Sequence, residues 1–251
     1  MSCGDIRILD TGTRPPDDPP DIVDLRHAPA LVRRPLPIDD DQVAAVLAEP
    51  AHIIFYSRFS TRVVADDDVI PTPARHKYWT VGDRTAALAA RCFDTSPRVP
   101  DDESFDGLRR FLATDADPRP IVAFGLRGRH RDLSEVATKL GVEFTVVDVY
   151  QSTPADPELL ANAFKEHRPH WLTVTSSRGA KSVADGIGIR RLRSQLDGGE
   201  LSIVAIGPST AQTVAELGLD TELVADHPSR NAMIDAIIAH GSTDPGDRCE
   251  P

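Results

Sequence analysis

Short apolar runs alternate with stretches of helical period along most of this chain, and no other feature narrows the choice of fold so far. The runs are Ile53–Tyr56, Lys77–Val81, Ile121–Phe124, Glu143–Tyr150, Trp171–Val174, Ser202–Ile206 and Leu223–Ala225, with Ile6–Asp10 a further strand near the start. Between them, Ala86–Cys92, Leu133–Leu140, Pro208–Leu217 and Asn231–Ala239 repeat apolar residues at helical spacing. Short apolar strands separated by helices predict parallel sheets covered by helices on both faces, the α/β class. At 251 residues the chain exceeds one typical domain and can form two small ones. Hydrophobic residues make up 40% and aromatic residues only 5%, which predicts cores built mainly of Ala, Val, Leu and Ile. Arg14–Asp21, rich in Pro and Asp, reads as a loop, and Gly241–Pro251 lacks periodicity and reads as a disordered tail.

Several function classes are disfavoured. The formal net charge of -11 argues against nucleic acid and anionic lipid as partners, since both reward a positive surface. No run approaches the roughly 18 apolar residues needed to span a bilayer. Met1–Asp10 lacks the basic start and apolar core of a signal peptide. Cys3, Cys92 and Cys249 are far apart, which fits a reduced compartment without a disulfide framework. His167 and His170 straddle Pro169 and read as loop residues, so no metal site is expected. Walker A, G-x-G-x-x-G and G-x-S-x-G motifs are missing, and Gly125–Arg129 resembles a phosphate loop only weakly. The runs Asp39–Asp41 and Asp66–Asp68 lack calcium-loop spacing and read as turns or helix starts.

An internal repeat points to a site. Aligning Ser57 with Ser176 sets Arg62 opposite Lys181 and Val64 opposite Val183. Further on, Val81-Gly82-Asp83-Arg84-Thr85-Ala86 answers Ile206-Gly207-Pro208-Ser209-Thr210-Ala211. Both elements sit where a strand ends and a helix begins, which implies two related α/β units. Ligands of open parallel sheets bind beyond the carboxyl ends of the strands, and helix N-termini there favour anions. Ser57, Thr85, Ser176, Ser177, Ser209 and Thr210 are each either helix caps or ligand contacts. As a set they suggest an anion with several charged arms, and Arg62, Arg84, Arg129, Arg178 and Lys181 are the candidate cations.

The order of these elements resembles the uroporphyrinogen-III synthase family. The resemblance runs from about Ile53 to His240. It rests on Ser57 with Arg62, on Val81–Ala86, on Gly128-Arg129 ahead of a helix, on Val147–Ser152 with its Val-Tyr-Gln, on Thr175-Ser176-Ser177, on Ala205–Ala211, and on His227-Pro228-Ser229. The N-terminal segment departs from the family pattern, because Thr11–Asp21 is too proline-rich for the usual first helix and Tyr56 stands where the family usually has Thr. The resemblance implies two flavodoxin-like domains joined by a two-segment antiparallel linker, residues 1–37 with 152–251 forming one and 38–151 the other. The crossings would lie near Leu36–Ile38 and Val149–Ser152, with Tyr150 at the hinge.

The implied reaction is cyclisation of hydroxymethylbilane with loss of water and inversion of the last pyrrole ring, a hydro-lyase activity needing no cofactor. Tyr150 would be catalytic. Ser57, Arg62, Gly82, Thr85, Ser176, Ser177, Lys181, Gly207, Ser209 and Thr210 would bind the substrate's carboxylates. The resemblance further implies a cytoplasmic monomer, in contact at most transiently with hydroxymethylbilane synthase. A non-catalytic relative that binds a tetrapyrrole or another polyanion is the alternative, and a two-lobed receptor for a small anion is a third reading.

Overall fold

The computed structural model describes residues 6–16, 19–71, 73–115, 117–128 and 132–243. In chain order the elements are β1 (Ile6–Asp10), β2 (Val23–His27), β3 (Leu31–Pro35), α1 (Asp40–Val46), β4 (His52–Phe55), α2 (Arg58–Asp66), β5 (Lys77–Thr80), α3 (Asp83–Phe93), α4 (Phe105–Leu112), β6 (Ile121–Leu126), α5 (Ser134–Leu140) and β7 (Phe144–Pro154). Then follow α6 (Pro157–His167), β8 (Trp171–Val174), α7 (Ser177–Val183), α8 (Ile189–Asp197), β9 (Ser202–Ala205), α9 (Pro208–Glu216), β10 (Leu223–Val224) and α10 (Arg230–Thr243). A π turn, Ala184–Gly188, joins α7 to α8. The fold is mixed α/β with two sheets, and the chain divides into two compact units, residues 1–32 with 153–251 and residues 33–152.

The unit holding both chain ends has the strand order β10-β9-β8-β1-β2, parallel throughout. Counted within the unit this is 2-1-3-4-5. Its central strands are buried on both faces, so alternate residues enter different cores. Leu9, Leu172 and Ile203 pack with Leu160, Phe164, Val183 and Val214 under α6, α7 and α9. Ile8, Trp171 and Val204 pack with Met233, Ile234 and Ile237 of α10 on the other face. No helix forms among the described residues between β1 and β2, in keeping with the prolines there, yet β2 still pairs with β1 from Ile6↔Val23 to Asp10↔His27. The tail expectation is corrected in part: α10 runs on to Thr243, and positions 244–251 lie outside the described residues.

In the unit of residues 33–152 the order is β3-β7-β6-β4-β5, with β7, β6, β4 and β5 parallel. Ile53, Phe55, Tyr78, Val122 and Phe124 face α1, α2 and α3, while Ile54, Trp79, Ile121 and Ala123 face α4 and α5. The cores are mainly aliphatic, as the composition predicts, with one aromatic cluster among them. Phe55 stacks on Phe93 at 5.4 Å, on Phe124 at 5.6 Å and on Tyr78 at 6.3 Å, so the few aromatic rings are concentrated in one core. The run Asp66–Asp68 ends α2 rather than starting a helix, with Asp68 in the left-handed region.

The Tyr78 hydroxyl is buried in that aromatic core without a hydrogen-bond partner among the described residues, and burial raises its pKa. A buried unpaired polar atom costs about 1–3 kcal/mol. Tyr78→Phe should therefore raise the melting temperature, and a fall would mean that the hydroxyl has a partner.

Two buried imidazoles make this unit acid-sensitive. The Trp79 indole N–H donates to His52 Nδ1 at 3.0 Å, so His52 Nε2 carries the proton and donates to Asp117 O, also at 3.0 Å. Ala51 N donates to His76 Nδ1 at 3.1 Å, and His76 Nε2 donates to Pro71 O at 3.2 Å. Burial lowers the pKa of both rings. They therefore bind fewer protons folded than unfolded, and stability present above pH of about 6.5 is lost as pH falls below that value. Asp117 acts in the same sense at lower pH: the hydrogen bond from Lys77 lowers its pKa, so its contribution is lost only as pH falls below about 4. The melting temperature should already drop between about pH 7.5 and 5.5, before the carboxylates titrate. Identical melts at the two values would show that the rings are not held neutral.

Candidate active site

The repeated elements have the same local chemistry in both units. β4 runs into Ser57 and β8 into Ser176, and each serine is extended and caps the following helix. Ser57 Oγ accepts from Ser60 N at 3.2 Å, and Ser176 Oγ accepts from Gly179 N at 3.0 Å. β5 runs into Gly82 and β9 into Gly207, which open α3 and α9 in extended conformation with no side-chain cap of their own. The copies nevertheless occupy different strands. In chain order they follow the third and fourth strands of one sheet and the second and third of the other. The likeness is one of strand-to-helix chemistry, not of topological position.

In the unit of residues 33–152 a cluster forms at the carboxyl end of the sheet. β7 continues to Pro154, so Tyr150 lies inside the strand rather than at its end as the sequence reading had it. A register shift at Gly125/Leu126 and the bond from Arg127 N to Tyr150 O, 2.8 Å, place Tyr150 beside the last residues of β6. The Tyr150 hydroxyl is 3.4 Å from Ser57 Oγ, and its ring meets Phe59 edge-on at 4.9 Å. The Arg33 guanidinium lies 5.8 Å from the Phe59 ring and 5.9 Å from the Tyr150 ring. Sequence reasoning missed Arg33 because β3, Leu-Val-Arg-Arg-Pro, does not read as an apolar strand. Arg62 is exposed on α2. The N-terminus of α3 is occupied: Glu103 Oε2 accepts from Asp83 N at 3.2 Å, close beside Gly82. Thr85 lies one turn into that helix, half-buried, and Arg84 is exposed.

In the other unit Ser177 Oγ donates to Ser209 O at 3.2 Å, which joins the starts of α7 and α9. Gly207 has open space where a Cβ would stand and, being glycine, gives α9 no side-chain cap of its own, which leaves room for an anion at that helix start. Thr210 is 3% exposed and faces the core. Lys181 and Arg178 are exposed on α7, and Arg129 lies outside the described residues.

The sequence reading also missed a buried polar cluster at the carboxyl end of β1. Asp10 is 2% exposed. Its Oδ2 accepts from His27 Nδ1 at 2.7 Å and from Arg230 Nη1 at 3.2 Å, and its Oδ1 accepts from Thr173 Oγ1 at 3.0 Å. Thr11 Oγ1 donates to Thr173 O, and Arg230 Nη2 donates to Pro15 O at 3.0 Å. A Cβ on Gly12 would stand 2.8 Å from Arg230 Nη1, so glycine leaves room for the guanidinium. An aspartate ending a strand directly after the apolar pair Ile8-Leu9 was the available signal.

Among the described residues no group of His, Cys, Asp and Glu is arranged to hold a metal ion. His167 Nε2 and His170 Nδ1 instead engage backbone groups of different residues. Cys92 is exposed on α3, and Cys3 and Cys249 lie outside the described residues. No described helix is long and apolar enough to cross a membrane.

Two sheets in a mixed α/β fold, with hydroxyl-bearing helix starts at their strand ends and a tyrosine–serine–arginine cluster at one of them, define a two-sheet α/β protein. Residues 26–235 match the family described as uroporphyrinogen-III synthase HemD, and the chain belongs to that family. The fold is similar to the uroporphyrinogen-III synthetase of Helicobacter pylori, with a TM-score of 0.66 and 14% identity over 93% of this chain and 99% of that one. It is also similar to a mutant uroporphyrinogen III synthase of Thermus thermophilus, with a TM-score of 0.55 and 15% identity over 95% of this chain and 100% of that one. At these identities the structural likeness speaks for the fold. Comparison with curated protein sequences gives no match.

Proposed function

We propose that the protein is a uroporphyrinogen-III synthase, a hydro-lyase that cyclises hydroxymethylbilane with inversion of the last pyrrole ring. The observation that carries this reading is the family match from residue 26 to residue 235, a span that includes Ser57, Tyr150, Ser176 and Gly207. The bilane closes without help but without inversion, so the protein's task is to select one geometry, which positioning alone can favour by several kcal/mol. The start of α9 and the hydroxyls of Ser177 and Ser209 hold carboxylate arms. Arg33 supplies a guanidinium fork beside the tyrosine. The Tyr150 O–H donates to the departing hydroxyl, and the oriented dipoles around it stabilise the azafulvene cation that remains.

The same reading makes each unit a flavodoxin-like domain and takes β3 and β7 as the two antiparallel connecting segments. It is supported by the hydrogen bonds Leu36 N to Val149 O and Ala155 N to Ala30 O, both 3.0 Å, whose numbering falls on one strand as it rises on the other. The protein is read as a cytoplasmic monomer that needs no cofactor and receives its substrate from hydroxymethylbilane synthase. The test is to supply purified full-length protein with hydroxymethylbilane and to separate the product isomers. Type III in excess of the uncatalysed control is expected. The control ratio with no binding would overturn the reading, and binding without type III product would make the protein a tetrapyrrole receptor.

A further inference from the structure

The unit formed by both chain ends carries a second charged feature, at the other end of its sheet from Ser176 and Ser209. A basin of about 700 Å³ opens at the amino ends of β1, β8 and β9, and its lining includes Arg7, Phe164, Lys165, Arg168, His170 and Arg191. That volume lies within the range of small-molecule sites. Four of these residues are permanent cations, and none of the four is ion-paired with a carboxylate among the described residues. Glu200 is the one acidic residue on the lining. Burial, helped by the neighbouring Arg7 guanidinium, lowers the pKa of His170, so the ring adds neither charge nor repulsion at neutral pH. On a chain of net charge -11 such a concentration of one sign is against the trend of the whole surface.

The cations are placed, not merely present. Arg7 Nε donates to Arg168 O at 2.8 Å, and the Arg191 guanidinium lies 5.2 Å from the Phe164 ring centroid. The π turn Ala184–Gly188 ends at Gly188 with φ 96°, a backbone that glycine adopts without strain, and α8, which carries Arg191, starts from there. Arg168 closes α6 in the left-handed region, at φ 48°, where glycine is the unstrained choice. The α5 helix closes on Gly141 in the same region. The dipole of α6 accounts for a cation such as Lys165 in its last turn, but not for Arg7 or Arg191, which come from other elements.

We propose that this basin binds a small multivalent oxyanion, phosphate-bearing or polycarboxylate, as a site distinct from the strand-end hydroxyls. The guanidinium forks suit paired oxygens, and several cations in one concavity reinforce one another. The proposal does not rest on the synthase reading, because the lining shares no residue with the strand-end site.

The experiment is calorimetric titration of the full-length protein, at low salt, with sodium pyrophosphate and separately with citrate. One saturable site is expected for at least one probe, and the tighter probe identifies the source chemistry. Arg168→Gly and Arg191→Gln should each weaken it by at least about tenfold, the loss of one charge-assisted hydrogen bond. Arg168→Gly should also keep or raise the melting temperature, since glycine accepts the left-handed backbone, so lost binding cannot be ascribed to unfolding. Arg190→Gln, exposed on the same helix and outside the basin, should bind as the wild type does. No saturable binding by either probe would overturn the proposal. So would binding that survives Arg168→Gly unchanged, or an equal loss in Arg190→Gln.

Discussion

Tyr150→Phe is expected to lower turnover of hydroxymethylbilane about a hundredfold, the low end for a positioned proton donor. The low end applies because geometry, which the ring retains, meets part of the barrier. The ring is 7% exposed, rests edge-on against Phe59 at 4.9 Å and lies 5.9 Å from the Arg33 guanidinium, and phenylalanine keeps all of these contacts. Among the described residues the one hydrogen bond given up is the long one to Ser57 Oγ, 3.4 Å, so stability should change by less than about 1 kcal/mol. Turnover, isomer ratio and denaturant midpoint measured on one preparation separate the outcomes. Unchanged turnover at equal stability would leave Tyr150 as a packing residue under Arg33. A joint loss of turnover and stability would make its hydroxyl structural.

Removing Asp10 should produce the largest loss of stability. Asp10→Ala strips the acceptor from Arg230, His27 and Thr173 together. Breaking a buried ion pair from one side costs about 3–5 kcal/mol, and the lower figure fits here because Arg230 and His27 keep some access to water. Asp10→Asn, which preserves shape and two acceptor lone pairs, should lose less than half as much. The urea midpoint should fall in that order with an unchanged slope. An Ala variant as stable as the wild type would show that water replaces the carboxylate. Because Arg230 opens α10 and holds Pro15, its release should also expose the segment between β1 and β2 to proteolysis.

What the sequence determined by itself was local. Continuous apolar runs such as Trp171–Val174 must be covered on both faces, so strands, helices and the parallel α/β class follow from composition over a few residues. The serines and glycines that open α2, α7, α3 and α9 were legible for the same reason, since capping involves a donor only three residues away. The prolines after Asp10 disfavour a helix, and none forms there among the described residues. Two of the four edge strands, β2 and β3, were not legible. Val-Asp-Leu-Arg-His and Leu-Val-Arg-Arg-Pro are half-exposed at sheet margins, where charge is tolerated and the apolar signal disappears. The sites themselves were decided by tertiary structure. Arg33, Ser57 and Tyr150 meet because β3 and β7 are neighbours and β4 lies two strands from β7. Asp10 meets Arg230 across 220 residues, and Arg7 meets Arg168 across 161. Such meetings depend on strand order and register, which are set by the burial of whole faces at once, and no window of neighbouring residues carries that information.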